Sequence, residues 1–156
     1  MAREHARLQC AIWQDAEFIA LPAAAQRLYM LALSSPELSY AGVVPYTPSR
    51  WSRLAPDTTA AQVRRHVALL ADARFVVVDE STEEMLIRTY VRHDGILRSP
   101  NVTVAMTKAA HRIVSPVIRR AFMRELVRLH RADEDSPAWR SDRLRVLLEE
   151  AMSDAS

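Results

Sequence analysis

TPSRWSRLAPDTTAAQVRRHVALLADARFVVVDESTEEMLI, residues 47–87, decides the fold. Thr47 caps a helix with Pro48 at its first position, where a missing N–H costs nothing, and Trp51, Leu54 and Ala55 are its expected buried side. Pro56-Asp57-Thr58 breaks that helix. Thr59-Ala-Ala-Gln62 is a capping box, opening a second helix to about Ala73. Within it Val63, Val67 and Leu70 stack on one face, while Ala61, Arg64, Arg65 and Ala68 point away. Then the period changes. Phe75-Val-Val-Val78 is β-branched and too short for a helix, Asp79 to Glu84 is a polar turn, and Met85 to Val91 alternates as a returning strand.

Upstream, Tyr40-Ala-Gly-Val-Val-Pro45 has room only for a very short strand, closed by its proline. A helix is predicted from about Leu21 to Ser34, with Ala24, Leu28, Leu31 and Ala32 inward and Ser34-Ser-Pro36 ending it. Arg7 to Trp13 alternates loosely, with Leu8, Cys10 and Ile12 on one side, and reads as a short strand. Downstream, Ser99-Pro100, Ser115-Pro116 and Ser136-Pro137 each pair a capping serine with a proline that starts a helix. Helices are predicted at about 100–113, 116–131 and 137–151, with Ala132 to Asp135 as a polar link. The expected fold is mostly α (α+β): a winged helix-turn-helix domain over 1–98 with a small β-hairpin wing, and a three-helix C-terminal extension over 99–156.

The 156 residues hold a single cysteine, Cys10, and two glycines, Gly42 and Gly95. The first excludes a disulfide framework and a cysteine-clustered zinc site, the second a glycine-rich phosphate loop. No apolar run approaches the ~20 residues of a membrane span, and the start lacks a signal core, so a cytoplasmic protein is expected. His5, His66, His93, His111 and His130 show no metal-ligand spacing, and His93-Asp94 beside Gly95 reads as a turn. Glu83-Glu84 and Glu149-Glu150 lack an apolar pocket to tune a carboxylate. No cofactor, metal or catalytic residue is expected, and the chain is read as not an enzyme.

Charge is uneven. Residues 1–97 carry ten arginines against eleven acids, a net −1. Residues 98–131 carry seven arginines and Lys108 against Glu125 alone, a net +7, and residues 132–156 carry three arginines against seven acids, a net −4. A basic middle segment suits a polyanion, with double-stranded DNA the expected partner. Arg64 and Arg65, with Thr58, Thr59 and Gln62 at the helix start, match the side chains a helix uses to read bases in the major groove. Arg50 and Arg53 on the preceding helix suit phosphates. Arg120, Arg124, Arg128 and Arg131 lie within about 80° of arc on one helix, at 3.6 residues per turn. Only Glu125 offsets them locally. Ile118, Phe122, Leu126 and Leu129 form the helix's packing stripe. Lys108 and Arg112 repeat the spacing one helix earlier, opposite Val102, Met106, Ala109 and Ile113. This track meets either phosphate or acids of the tail such as Asp133, Glu134 and Glu149. Four acids at the wing tip, Asp79, Glu80, Glu83 and Glu84, would repel a phosphate backbone, so this wing stays off the DNA or holds a basic protein. The alternative function is accordingly a protein-interaction module for a host or replisome protein.

Ile12-Trp13, Phe18, Ala25-Gln26-Arg27-Leu28-Tyr29, Ala41-Gly42-Val43-Val44, Arg74 to Glu80 and Leu86-Ile87-Arg88 together resemble small winged helix-turn-helix proteins of actinobacteria and their phages. More distantly, residues 7–98 are similar to the N-terminal domain of DnaD-type phage replisome organisers. The resemblance implies a recognition helix from Thr59 to Arg74 and a wing from Arg74 to Val91, in replication initiation or transcriptional control. The Tyr-x-x-x-Ile-x-x-x-Trp signature of the organisers' second domain is missing, which counts against helicase loading. Oligomeric state is left open between monomer and homodimer.

Overall fold

A computed structural model of the protein describes residues 4–93 and 95–154. The helices are α1 (Ala16–Ile19), α2 (Ala23–Leu33), α3 (Pro48–Ser52), α4 (Ala60–Asp72), α5 (Tyr90–His93), α6 (Pro100–His111), α7 (Pro116–Ala132) and α8 (Asp142–Asp154). The strands are β1 (Val43–Pro45), β2 (Val76–Asp79) and β3 (Glu84–Ile87), in an antiparallel sheet of order β1-β3-β2. Among the described residues no helix is long and apolar enough to cross a membrane.

The capping box forms as expected. The Thr59 side chain accepts from the Gln62 N–H at 3.2 Å, and Gln62 Oε1 accepts from the Thr59 N–H at 2.8 Å. Val63, Val67 and Leu70 are buried, and α4 packs on α2 and α3. At its far end Phe75 N–H bonds Leu70 O and Arg74 N–H bonds Ala71 O, a helix-terminating pattern that puts Arg74 in the left-handed region at φ 63. Glycine is the residue favoured there.

The hairpin follows, with Val76 opposite Ile87 and Asp79 opposite Glu84. Met85, Leu86 and Ile87 are all buried. Successive strand residues point to opposite faces, so three in a row buried means that both faces of β3 are covered. Helix α7 packs on both β2 and β3. Two hairpin acids hold its start. Glu84 accepts from the N–H groups of Ser115 at 2.7 Å and Val114 at 3.1 Å. Ser115 Oγ donates to Asp79 at 2.5 Å and accepts from the Ile118 N–H at 3.1 Å, so the serine caps α7. Negative charge at a helix N-terminus also suits the peptide dipoles.

Several expectations are corrected. Cys10–Gln14 is a 3-10 turn, not part of a strand, and Leu8 and Cys10 are exposed, with no strand among the described residues to offer them a ladder. In α2 the inward alanines are Ala25 and Ala32, as expected for Ala32, while Ala24 is exposed. Helix α3 stops at Ser52, which leaves Leu54 57% exposed. Strand β3 ends at Ile87, because Tyr90 and Val91 bury themselves from the short helix α5 instead. Thr47, Ser99 and Ser136 make no side-chain cap, and Pro137 opens a 3-10 turn, so α8 starts only at Asp142. Asp94 and the terminal residues 1–3 and 155–156 lie outside the described residues, as does that part of the His93-Asp94 reading.

Ser115 is fully buried and joins hairpin to helix. Ser115→Ala is expected to lower stability by about 1–2 kcal/mol at neutral pH, the usual range for a lost cap. The hydrogen bond from Ser115 is the chief reason the Asp79 carboxyl sits below its ordinary 3.8, with Ser81 adding to it. A depressed carboxyl stabilises the fold above its unfolded value and loses that contribution as pH falls. The deficit of Ser115→Ala should therefore narrow as pH drops below 3.8, measured by urea unfolding across an acid series.

Candidate nucleic-acid interface

Helix α4 presents Ala61, Arg64, Arg65 and Ala68 to solvent, since Val63, Val67 and Leu70 take the inward phase. The two arginines differ. Arg65 has no ion pair or side-chain hydrogen bond among the described residues, whereas Arg64 Nε lies 3.7 Å from Glu80 of the hairpin. Both members of that pair are more than half exposed, so it holds Arg64 only loosely. At the start of the helix, the oxygens of Thr59 and Gln62 are committed to the capping box, leaving the amide N–H groups of Gln62 for a partner. Thr58 is half-buried. On α3, Arg50 lies 3.7 Å from Glu37, again an exposed pair, and Arg53 follows the helix as an exposed residue.

The second basic surface belongs to α7. Arg120, Arg124, Arg128 and Arg131 are all exposed, as are Lys108 and Arg112 near the end of α6. None of the four α7 arginines pairs with Asp133, Glu134, Glu149 or Glu150 among the described residues. The tail reaches a different arginine: Arg119 contacts Glu150 at 3.1 Å, while Glu149 faces Arg145 at 4.0 Å on its own helix. A pairing of stripe with tail, open from the sequence, is therefore absent from these residues.

One member of the stripe does have an acid partner. Glu125 is 1% exposed, and its carboxylate gathers three arginines. Arg88, just past β3, reaches Oε1 at 2.8 Å, and Arg128 reaches the same oxygen at 2.7 Å. Arg92, on α5, faces Oε2 at 3.3 Å. Arg88 also donates to the Arg74 carbonyl at 2.9 Å, tying the end of α4 into the same cluster. A buried carboxylate costs several kcal/mol in lost hydration, which attraction and hydrogen bonds from the guanidiniums must offset. The sequence gives no sign of the roles of Arg88 and Arg92. Nothing in their local spacing connects them to a glutamate more than thirty residues downstream.

The exposed surface thus offers Arg65, Arg120, Arg124 and Arg131 without acid partners among the described residues, and Arg64 and Arg50 with weak ones. A phosphate or carboxylate could engage such groups without first breaking a strong internal pair. Among the same residues no three His, Cys, Asp or Glu side chains are grouped to hold a metal ion. The Tyr29 hydroxyl, buried beside Phe18 and Phe75, is pushed up by that burial. It belongs to the aromatic core.

Glu125→Gln removes the charge while keeping the shape, and leaves three guanidiniums around a neutral amide. The variant should lose roughly 3 kcal/mol of stability, the low end for breaking a buried ion pair, because Arg128 keeps half its side chain in water. Chemical denaturation measures the loss, and a change below about 0.5 kcal/mol would show the cluster to be energetically neutral. Comparison of the chain with protein-family models, curated proteins and solved structures gave no match.

Proposed function

We propose that the protein binds double-stranded DNA without catalysing a reaction, using a winged helix-turn-helix whose reading helix is α4. The observation that carries this is the outer face of α4, where Arg64 and Arg65 stand between Ala61 and Ala68. Two arginines between small residues can approach base edges closely, because no bulky neighbour holds the helix off the duplex. The order α2, β1, α3, α4 and hairpin, with strand order β1-β3-β2, supports the winged-helix reading.

Exposed arginines of α7 supply the sequence-independent part of binding. Arg120, Arg124 and Arg131 contact phosphates, and Lys108 and Arg112 extend the basic surface on α6. Arg128 is shared with Glu125 and contributes less than its place in the stripe suggests. The hairpin acids fit this reading, since Asp79 and Glu84 are turned to the start of α7. That leaves Glu80 and Glu83 for the rival reading, in which the hairpin binds a basic host or replisome protein. Phage or mobile-element replication or transcription is the setting that the family resemblance favours.

Fluorescence anisotropy with a labelled duplex tests the proposal. Binding should weaken as salt rises, with the logarithm of affinity linear in the logarithm of salt concentration. Arg64→Ala with Arg65→Ala should cost about 1–3 kcal/mol for each arginine that contacts a base, and should relax sequence preference. Unchanged specific binding would remove α4 from the interface.

Replacing Arg120, Arg124 and Arg131 with Gln should act differently, weakening all duplexes alike. If each meets one phosphate, the salt slope should fall by about 2.7 units, at ~0.9 per phosphate. Stability should stay within about 0.5 kcal/mol, because exposed side chains without partners contribute little. A sharp loss of stability with unaltered binding would make the stripe structural.

A further inference from the structure

Where α4 ends, β2, the Arg88 position and α7 line an open, shallow cleft of about 260 Å³. Arg74, Arg88, Arg124 and Arg128 line it together with one carboxylate, Glu125. Four positive charges against one negative leave the lining at +3. The arginines are not equally occupied. Arg88 commits all three nitrogens, to Glu125 and to the Arg74 carbonyl. Arg128 gives Glu125 only one terminal nitrogen. The guanidiniums of Arg74 and Arg124 have no hydrogen bond or ion pair among the described residues.

The rest of the wall narrows the chemistry. Ala71, Val76, Val77 and Ala121 are short and aliphatic. They offer no ring on which a base could stack and no amide or hydroxyl to read a sugar. What the cleft can recognise is negative charge with several oxygens, which the planar fork of a guanidinium matches. The backbone at Arg74 points the same way, since a long charged side chain occupies a left-handed position that favours glycine.

We propose that this cleft is a binding site for a single phosphate group, held by Arg74 and Arg124 with help from Arg128. Arg88 positions the cluster through Glu125 and makes the surroundings positive. The site follows from the cleft itself and does not depend on duplex binding. A nucleic-acid backbone and a small phosphate compound offer it the same oxygens, so the test must separate the two sources.

The variant is Arg74→Gly with Arg124→Gln. Neither guanidinium has a partner to lose, and glycine suits the backbone at position 74, so the variant should fold. Inorganic phosphate is the first probe, with sodium chloride at equal ionic strength as reference. At on the order of tenfold excess over Kd, phosphate should raise the Tm of the wild type by about 3–6 °C. The variant should show less than about half that rise. Both proteins share the general stabilising effect of phosphate salts, so the difference between them reports the site. Broadening of the ³¹P resonance by the wild type and not by the variant gives a second readout.

A labelled duplex is the other arm. The duplex arm uses Arg74→Gly alone, which leaves the α7 stripe intact, and weaker duplex binding by it would identify the backbone as the source. Unchanged duplex binding by Arg74→Gly, with its phosphate effect reduced, would identify a small phosphate compound. If the wild type binds no duplex yet keeps its phosphate response, the site stands and the DNA reading falls. Equal Tm shifts in the two proteins, or no ³¹P broadening by the wild type, would overturn the site.

Discussion

The carboxylate of Glu125 is the constraint on which much of the structure depends. It sits on the sheet side of α7 and is closed off from water. An isolated charge there would be intolerable, so the surrounding backbone has to bring guanidinium groups to it. Arg88 comes from the end of the hairpin, Arg92 from α5, and Arg128 from the next turn of α7. Each lies on a different segment. The ion cluster therefore fixes the hairpin, the turn after it and the long helix α7 against one another. Through the Arg74 carbonyl it also reaches the end of α4.

That arrangement gives the hairpin a second role. In a freely projecting wing the two faces would differ, one packed and one wet, and the acidic tip would be available to a partner. Here the central strand is buried on both faces, and Asp79 and Glu84 are bound to the residues that begin α7. The acids are better understood as part of a helix cap than as an external patch. Taking two carboxylates out of the solvent-facing set also changes the electrostatic balance beside α4, where Glu80 remains as a loose partner of Arg64.

The proposed DNA interface and the proposed phosphate cleft draw on the same uneven charge. The basic span 98–131 cannot neutralise itself, because Glu125 is the sole acid in it and already attracts arginines from elsewhere. The tail is close in sequence, yet its acids lie near other arginines or near none of the stripe. The result is a surface with positive charge left over, and a cleft at the junction of α4 and α7 where four arginines meet one carboxylate.

Local sequence by itself determined α4 and the hairpin. The Thr59–Gln62 box, the phase of Val63, Val67 and Leu70, and the β-branched run at 76–78 act within a few residues, so they survive any arrangement of the rest. The same holds for the exposed phase of Arg64, Arg65 and the α7 arginines. Where an element needs a distant neighbour, the local pattern does not decide it. Leu8, Cys10 and Ile12 alternate like a strand, but among the described residues no ladder is there to pair with. Ser99 and Ser136 have the right residue type for a cap and do not make one, whereas Ser115 does, because Asp79 and Glu84 hold it in place. Tertiary structure alone decided the partners of Glu125. A carboxylate on an arginine-rich helix looks like a small local correction to its charge. Only packing α7 on the sheet buries it, and only burial makes three distant arginines converge on it.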